Sequence, residues 1–120
     1  MEISKFQKEV LKELVDLAIA GKTITYGDLS VRMGKSRRSP RYLSQVLGNI
    51  SRYTYNELGI FISVIVLNED SMNPGEGFVQ FAESILNANL KGTGFIQKQM
   101  KNVFAIRPEA LKRLRLVEAY

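Results

Sequence analysis

The segment SPRYLSQVLGNISRY, Ser39 to Tyr53, constrains the fold more than any other part of the chain. Ser39 followed by Pro40 is a helix start, a capping residue and then a proline whose fixed φ suits the first turn. Leu43, Val46, Leu47 and Ile50 fall at i, i+3, i+4 and i+7, so one side of the helix is apolar and must meet a core. The opposite side carries Arg41, Gln45 and Arg52, with Gly48 between them and Tyr42, Ser44 and Asn49 on the flanks. Such a helix is half core element and half outward display of basic and amide side chains.

The preceding residues read as its scaffold. A helix is expected from about Ser4 to Ala20, with Phe6, Val10, Leu14 and Leu17 or Ala18 at helical spacing and Gly21 ending it. Thr23, Ile24 and Thr25 suit a short extended piece. Thr25 then stands at an N-cap, with Asp28 three residues on in a capping-box arrangement. The helix it starts runs through Leu29 and Val31 to Met33 and stops at Gly34, about two turns that need tertiary support to persist.

Downstream, after a turn near Asn56 to Gly59, IFISVIVLN is a β-branched and aromatic run that reads as a buried strand. NEDSMNPGEGF is turn-rich, with a second extended return expected from Gly77. Helices are expected at about Val79 to Asn89, Phe95 to Val103 and Pro108 to Val117. In the last of these, Leu111, Leu114 and Val117 form one apolar face suited to core or dimer contact. The fold class expected is α+β: a mainly helical winged helix-turn-helix with a small sheet or wing and extra C-terminal helices. It would form a single domain over 1–120, with the helix-turn-helix and wing at 23–78 and a helical extension at 79–120.

Two absences limit the chemistry. The chain has no cysteine and no histidine. That removes thiolate nucleophiles, imidazole bases, disulfides and ordinary zinc sites. A non-enzymatic binding module without cofactor or metal is expected. Glu69, Asp70 and Glu76 are the only acids that invite a metal-nuclease reading, and a turn-rich loop rarely supplies the convergent geometry. No apolar run is long enough to span a membrane and the N-terminus has no apolar signal segment, so a cytoplasmic location is expected.

The net charge is +5, and its distribution is uneven. Residues 31–52 carry Arg32, Lys35, Arg37, Arg38, Arg41 and Arg52 with no acid, whereas residues 53–90 carry Glu57, Glu69, Asp70, Glu76 and Glu83 with no base. A basic segment of this kind is the electrostatic footprint of a nucleic-acid binder. In a helix-turn-helix, the second helix enters the major groove, where arginine reads guanine and glutamine reads adenine. The candidate DNA-binding residues are therefore Arg41 and Gln45 toward bases, and Lys35, Arg37 and Arg38 toward phosphates at the helix entrance. Tyr26, Tyr42 and Arg52 complete the set. Tyr42, Tyr53 and Tyr55 are weighed both as packing aromatics and as stacking platforms for an extruded base.

The run ITYGDLSVRMG, then SPRYLSQVLGNI, then VIVLN resembles the DNA-binding domain of O6-alkylguanine-DNA alkyltransferases and alkyltransferase-like proteins. The resemblance covers roughly residues 23–68. It implies a winged helix that binds duplex DNA and senses a modified or distorted base, with Arg41 at the position of the arginine that enters the base stack. Ser63 stands where that family carries its cysteine, so alkyl transfer is excluded. NPGEGF is similar to a motif of uncharacterised bacterial proteins, some encoded near restriction or phage-defence genes. The acidic loop suits a wing on DNA poorly, and it keeps a second expectation open: a protein-interaction module of winged-helix shape that no longer binds nucleic acid. Duplex DNA is the expected partner, with a protein partner and a homodimer as further possibilities.

Overall fold

Helix α1, Lys5–Ile19, is fixed at both ends by its own sequence. Ser4 and Gln7 form a reciprocal capping box: the Gln7 N–H donates to Ser4 Oγ at 3.1 Å and the Ser4 N–H donates to Gln7 Oε1 at 2.9 Å. At the far end Gly21 takes a φ of +69°. The Lys22 N–H then reaches back to the Leu17 carbonyl at 2.9 Å and the Gly21 N–H to Ala18 at 3.1 Å, the paired closure of a Schellman motif. A computed structural model describes residues 3–37 and 40–119, with side chains at all of these except 40, 41 and 76.

Strand β1, Ile24–Thr25, leads directly into helix α2, Tyr26–Arg32. The Asp28 N–H donates to Thr25 Oγ1 at 3.2 Å, one half of the expected capping box, while the Asp28 carboxylate turns to Arg37 in place of the Thr25 N–H. The helix ends like the first: Gly34 has φ +75°, the Gly34 N–H donates to Val31 and the Lys35 N–H to Ser30. Helix α3 spans Pro40–Leu58 and runs about two turns past the last residue of its apolar stripe, Ile50.

The strand expected across IFISVIVLN is mostly not a strand. Ile62–Ile65 is a 3-10 turn, and only Val66–Leu67 forms a strand, β2. It pairs with β1 in parallel, Ile24 opposite Val66 and Thr25 opposite Leu67. The extended return expected from Gly77 is absent as well, because helix α4 begins at Glu76 and runs to Leu86. Among the described residues the only sheet is this parallel pair, so no antiparallel wing hairpin forms. Helix α5 covers Phe95–Ala105 and helix α6 Pro108–Arg113, followed by a 3-10 turn at Leu114–Leu116.

One core joins all of this. Val10, Leu11, Leu14 and Val15 of α1 meet Leu43, Val46, Leu47 and Ile50 of α3 around the segment Ile60–Val66. Val103, Leu111, Leu114 and Val117 close the same core from the C-terminal side, leaving Leu116 exposed. Phe61 is an aromatic hub: Tyr55 stacks on it at 4.7 Å, and Phe78, Phe81 and Phe95 meet it edge-on at 6.1 to 6.3 Å.

The buried residues 60–67 form only a short 3-10 turn and a two-residue strand, which leave some of their backbone groups to find side-chain partners. Thr54 Oγ1 donates to the Ile60 carbonyl at 2.7 Å and accepts from the Ile62 N–H at 3.3 Å. Ser51 Oγ accepts from the Ser63 N–H at 3.0 Å, and Gln99 Oε1 from the Phe61 N–H at 2.7 Å. Gln99→Leu strands the Phe61 N–H and Thr54→Val strands two backbone groups. Each is expected to cost about 1–3 kcal/mol, read as a lower urea midpoint with unchanged slope.

Candidate nucleic-acid interface

The α2–α3 unit sets its second helix with one side in the core. Leu43, Val46, Leu47 and Ile50 are buried, while Tyr42, Ser44, Gln45, Asn49 and Arg52 face solvent. The stripe predicted from spacing is therefore present as a surface, and Tyr42 is 49% exposed. Helix α4 leans on part of it. Phe81 lies in van der Waals range of the space a Gly48 side chain would fill, and the Arg52 guanidinium sits 5.6 Å from its ring centre. The open part of the face is thus centred on Gln45 and Asn49.

The basic loop before α3 behaves differently from a set of free phosphate contacts. Arg37 donates from Nη2 to Asp28 Oδ1 at 3.0 Å and from Nη1 to Glu69 Oε1 at 2.9 Å, so both arms of its fork are engaged. Its pKa is pushed further up, foremost by the hydrogen bond to Asp28 and also by the charge of Glu69. This bridge crosses the surface of Gly27. A Cβ there would lie 2.2 Å from Glu69 Oε1 and 2.5 Å from Arg37 Nη1, the far ends of two flexible side chains, so a larger residue at 27 would push this bridge aside. Arg32 is likewise paired, with Glu13 at 3.0 Å. Lys35 has no carboxylate partner among the described residues; its ammonium lies 5.1 Å from the Phe6 ring centre and 5.8 Å from that of Tyr42. Arg38 and the side chain of Arg41 lie outside the described residues.

Beside the N-terminal half of α3 opens a cleft of about 570 Å³. Tyr26 and Phe78 supply its apolar walls, Ser44 comes from α3, and Asn68, Glu69 and Asp70 come from the loop after β2. Asn68 shapes that loop: its N–H donates to the Asn73 carbonyl at 2.8 Å and its Oδ1 accepts from the Asp70 N–H at 2.9 Å. Burial raises the Tyr26 phenol above its ordinary pKa, and a hydrogen bond with the Gly75 backbone partly opposes it.

The other candidates have plainer roles. Tyr53 is buried and its hydroxyl donates to the Leu114 carbonyl at 3.2 Å, and Tyr55 is partly buried with one ring face stacked on Phe61. Tyr42 alone of the three is half open. Ser63 is buried beneath α3, accepting from the Ser51 hydroxyl at 2.6 Å, and it does not line the cleft. Among the described residues no three acidic side chains converge as a metal site needs, and no helix is long and apolar enough to cross a membrane.

Sequence reading missed Asp28 and Glu69 as partners of Arg37, and Phe6 and Phe81 as seats for Lys35 and Arg52. Phe6 is visible in sequence only as part of the apolar stripe of α1. Nothing local announces Glu69, which lies 32 residues from Arg37. No protein-family model, curated protein or solved structure matches the chain.

Because the folded protein holds Tyr26 protonated more tightly than the unfolded chain does, its contribution is complete below about pH 10 and fades as pH rises through the raised value. Tyr53, raised chiefly by burial and then by Glu57, adds in the same direction. Urea unfolding measured from pH 8 to 11 is expected to show stability falling above pH 10, and Tyr26→Phe is expected to flatten that fall.

Proposed function

We propose that this protein is a non-enzymatic DNA-binding module that lays the open face of α3 in the major groove of duplex DNA. One observation carries the reading. A single helix is buried along Leu43, Val46, Leu47 and Ile50 and presents Tyr42, Gln45, Asn49 and Arg52 to solvent, within a segment of the chain that has no acid from residue 31 to 52. Glutamine and asparagine have the paired donor and acceptor that adenine offers in the major groove. Phosphate contacts position such a helix, and Lys35 at its entrance supplies one. Arg41 belongs to the same proposed face by its place in the sequence.

The cleft extends the proposal to distorted DNA. A base displaced from its stack beside α3 would pass Ser44 and meet the Tyr26 and Phe78 rings. Binding of this kind senses a base without altering it, since the chain has no cysteine to accept an alkyl group.

A second reading has its own observation. Glu69 and Asp70 line the cleft, Asp28 is held to it through Arg37, and among the described residues Arg37 is the one cation in the lining; such a rim opposes phosphates and suits a basic surface on a protein partner.

The two readings separate on salt. Binding of the protein to a generic duplex is expected at low ionic strength, with log K falling linearly with log salt concentration. Gln45→Ala combined with Asn49→Ala is expected to weaken binding about tenfold or more, in line with about 1–3 kcal/mol for each base contact, while the circular dichroism spectrum stays unchanged. Absence of duplex binding at low salt would overturn the DNA reading.

A further inference from the structure

Of the basic side chains described between residues 31 and 52, two are paired with carboxylates: Arg32 with Glu13 and Arg37 with Asp28 and Glu69. The other two, Lys35 and Arg52, have no carboxylate partner among the described residues. Each rests on an aromatic ring from a helix outside the α2–α3 unit, and Lys35 rests on Tyr42 of α3 as well. Lys35 lies over Phe6 of α1 and Tyr42 of α3, whose rings are 5.5 Å apart and tilted by 39°. Arg52 lies over Phe81 of α4.

We infer that these ring-seated cations are the two phosphate clamps of the interface, and that Phe6 and Phe81 are positioning residues that aim them. The inference rests on the DNA-binding reading above and adds residues from α1 and α4 to it.

The backbone supports this placement. Lys35 follows the left-handed Gly34, and its N–H is tied to the Ser30 carbonyl at 2.9 Å. The buried Ser30 hydroxyl donates to the next carbonyl, that of Ser36. The root of the lysine side chain is therefore fixed, and the two rings restrict its far end. A lysine free in solution gives up rotamer entropy when it grips a phosphate, and one already held over ring faces gives up less. The rings attract the ammonium without neutralising it, in contrast to the carboxylates that occupy Arg37.

The spacing also fits. Tyr42, which marks the Lys35 end, and Arg52 are ten residues apart on α3, about 15 Å along the axis. Lys35 and Arg52 thus stand at the two ends of the Gln45–Asn49 face, each able to reach a phosphate beside it.

A double-mutant cycle on duplex binding tests this. Lys35→Gln and Arg52→Gln are each expected to lower the slope of log K against log salt by about 0.9, one phosphate contact apiece. Phe6→Leu and Phe81→Leu are each expected to weaken binding about two- to fivefold, the range of an exposed cation–ring contact. In the cycle, Phe6→Leu has no effect in the Lys35→Gln background, and Phe81→Leu none in the Arg52→Gln background. A purely structural phenylalanine would weaken both backgrounds equally. Such additivity, or an unchanged salt slope in both cation variants, overturns the inference while leaving DNA binding intact. Failure of the unmodified protein to bind any duplex overturns the function itself.

Discussion

The structure depends on a stretch of chain that is buried without being regular. Residues 60–67 run through the middle of the molecule as a 3-10 turn and a two-residue strand, so their N–H and C=O groups cannot all find partners in a ladder. Ser51 and Thr54 on α3 and Gln99 on α5 supply what is missing. An unpaired buried amide costs more than a paired one gains, so these three polar side chains fix where the two helices sit relative to the segment. They also explain the length of α3. The helix must continue past its apolar stripe to carry Ser51 and Thr54 inward, and the same rotation that turns them in turns Gln45, Asn49 and Arg52 out.

Folding redistributes the charge that looks so segregated along the chain. The basic segment meets acids drawn from three other places: Glu13 on α1, Asp28 on α2 and Glu69 after β2. The C-terminal Arg115 finds Asp16 in the same way. Exposed pairs of this type add little to stability. Their importance is in what they withdraw, since an arginine with both arms on carboxylates is not a free phosphate ligand. Among the described residues of that segment, the cations left without a carboxylate are Lys35 and Arg52, at the two ends of one helix face.

Local rules were enough for the elements whose signals are local. The Thr25 cap and the glycine stops at 21 and 34 depend on residues within a few positions of one another. The buried side of α3 also follows from spacing. The IFISVIVLN run did not read correctly because a fully buried segment is apolar whatever its backbone does, and periodicity cannot tell a strand from a buried 3-10 turn. The expected wing failed for a related reason: Pro74 and Gly75 lead into a helix at Glu76, where a turn back into sheet was expected. The candidate site was legible as a list of outward residues on α3. Which of its cations are free was not, because Arg37 and Glu69 are separated by 32 residues and meet only across Gly27.

The sequence by itself determined the helical framework, the two-faced character of α3 and the exclusion of thiol and imidazole chemistry. Each of these follows from residue type and short-range spacing. Tertiary structure alone decided that β1 and β2 pair in parallel, that Arg37 is spent on Asp28 and Glu69, and that Lys35 and Arg52 lie on rings from α1 and α4. These depend on which distant segments the core brings together, and the core is arranged around a buried backbone whose partners lie up to 38 residues away. Caps and stripes are written in neighbouring residues, whereas the satisfaction of a buried amide or a surface cation is settled only when the chain has closed around it.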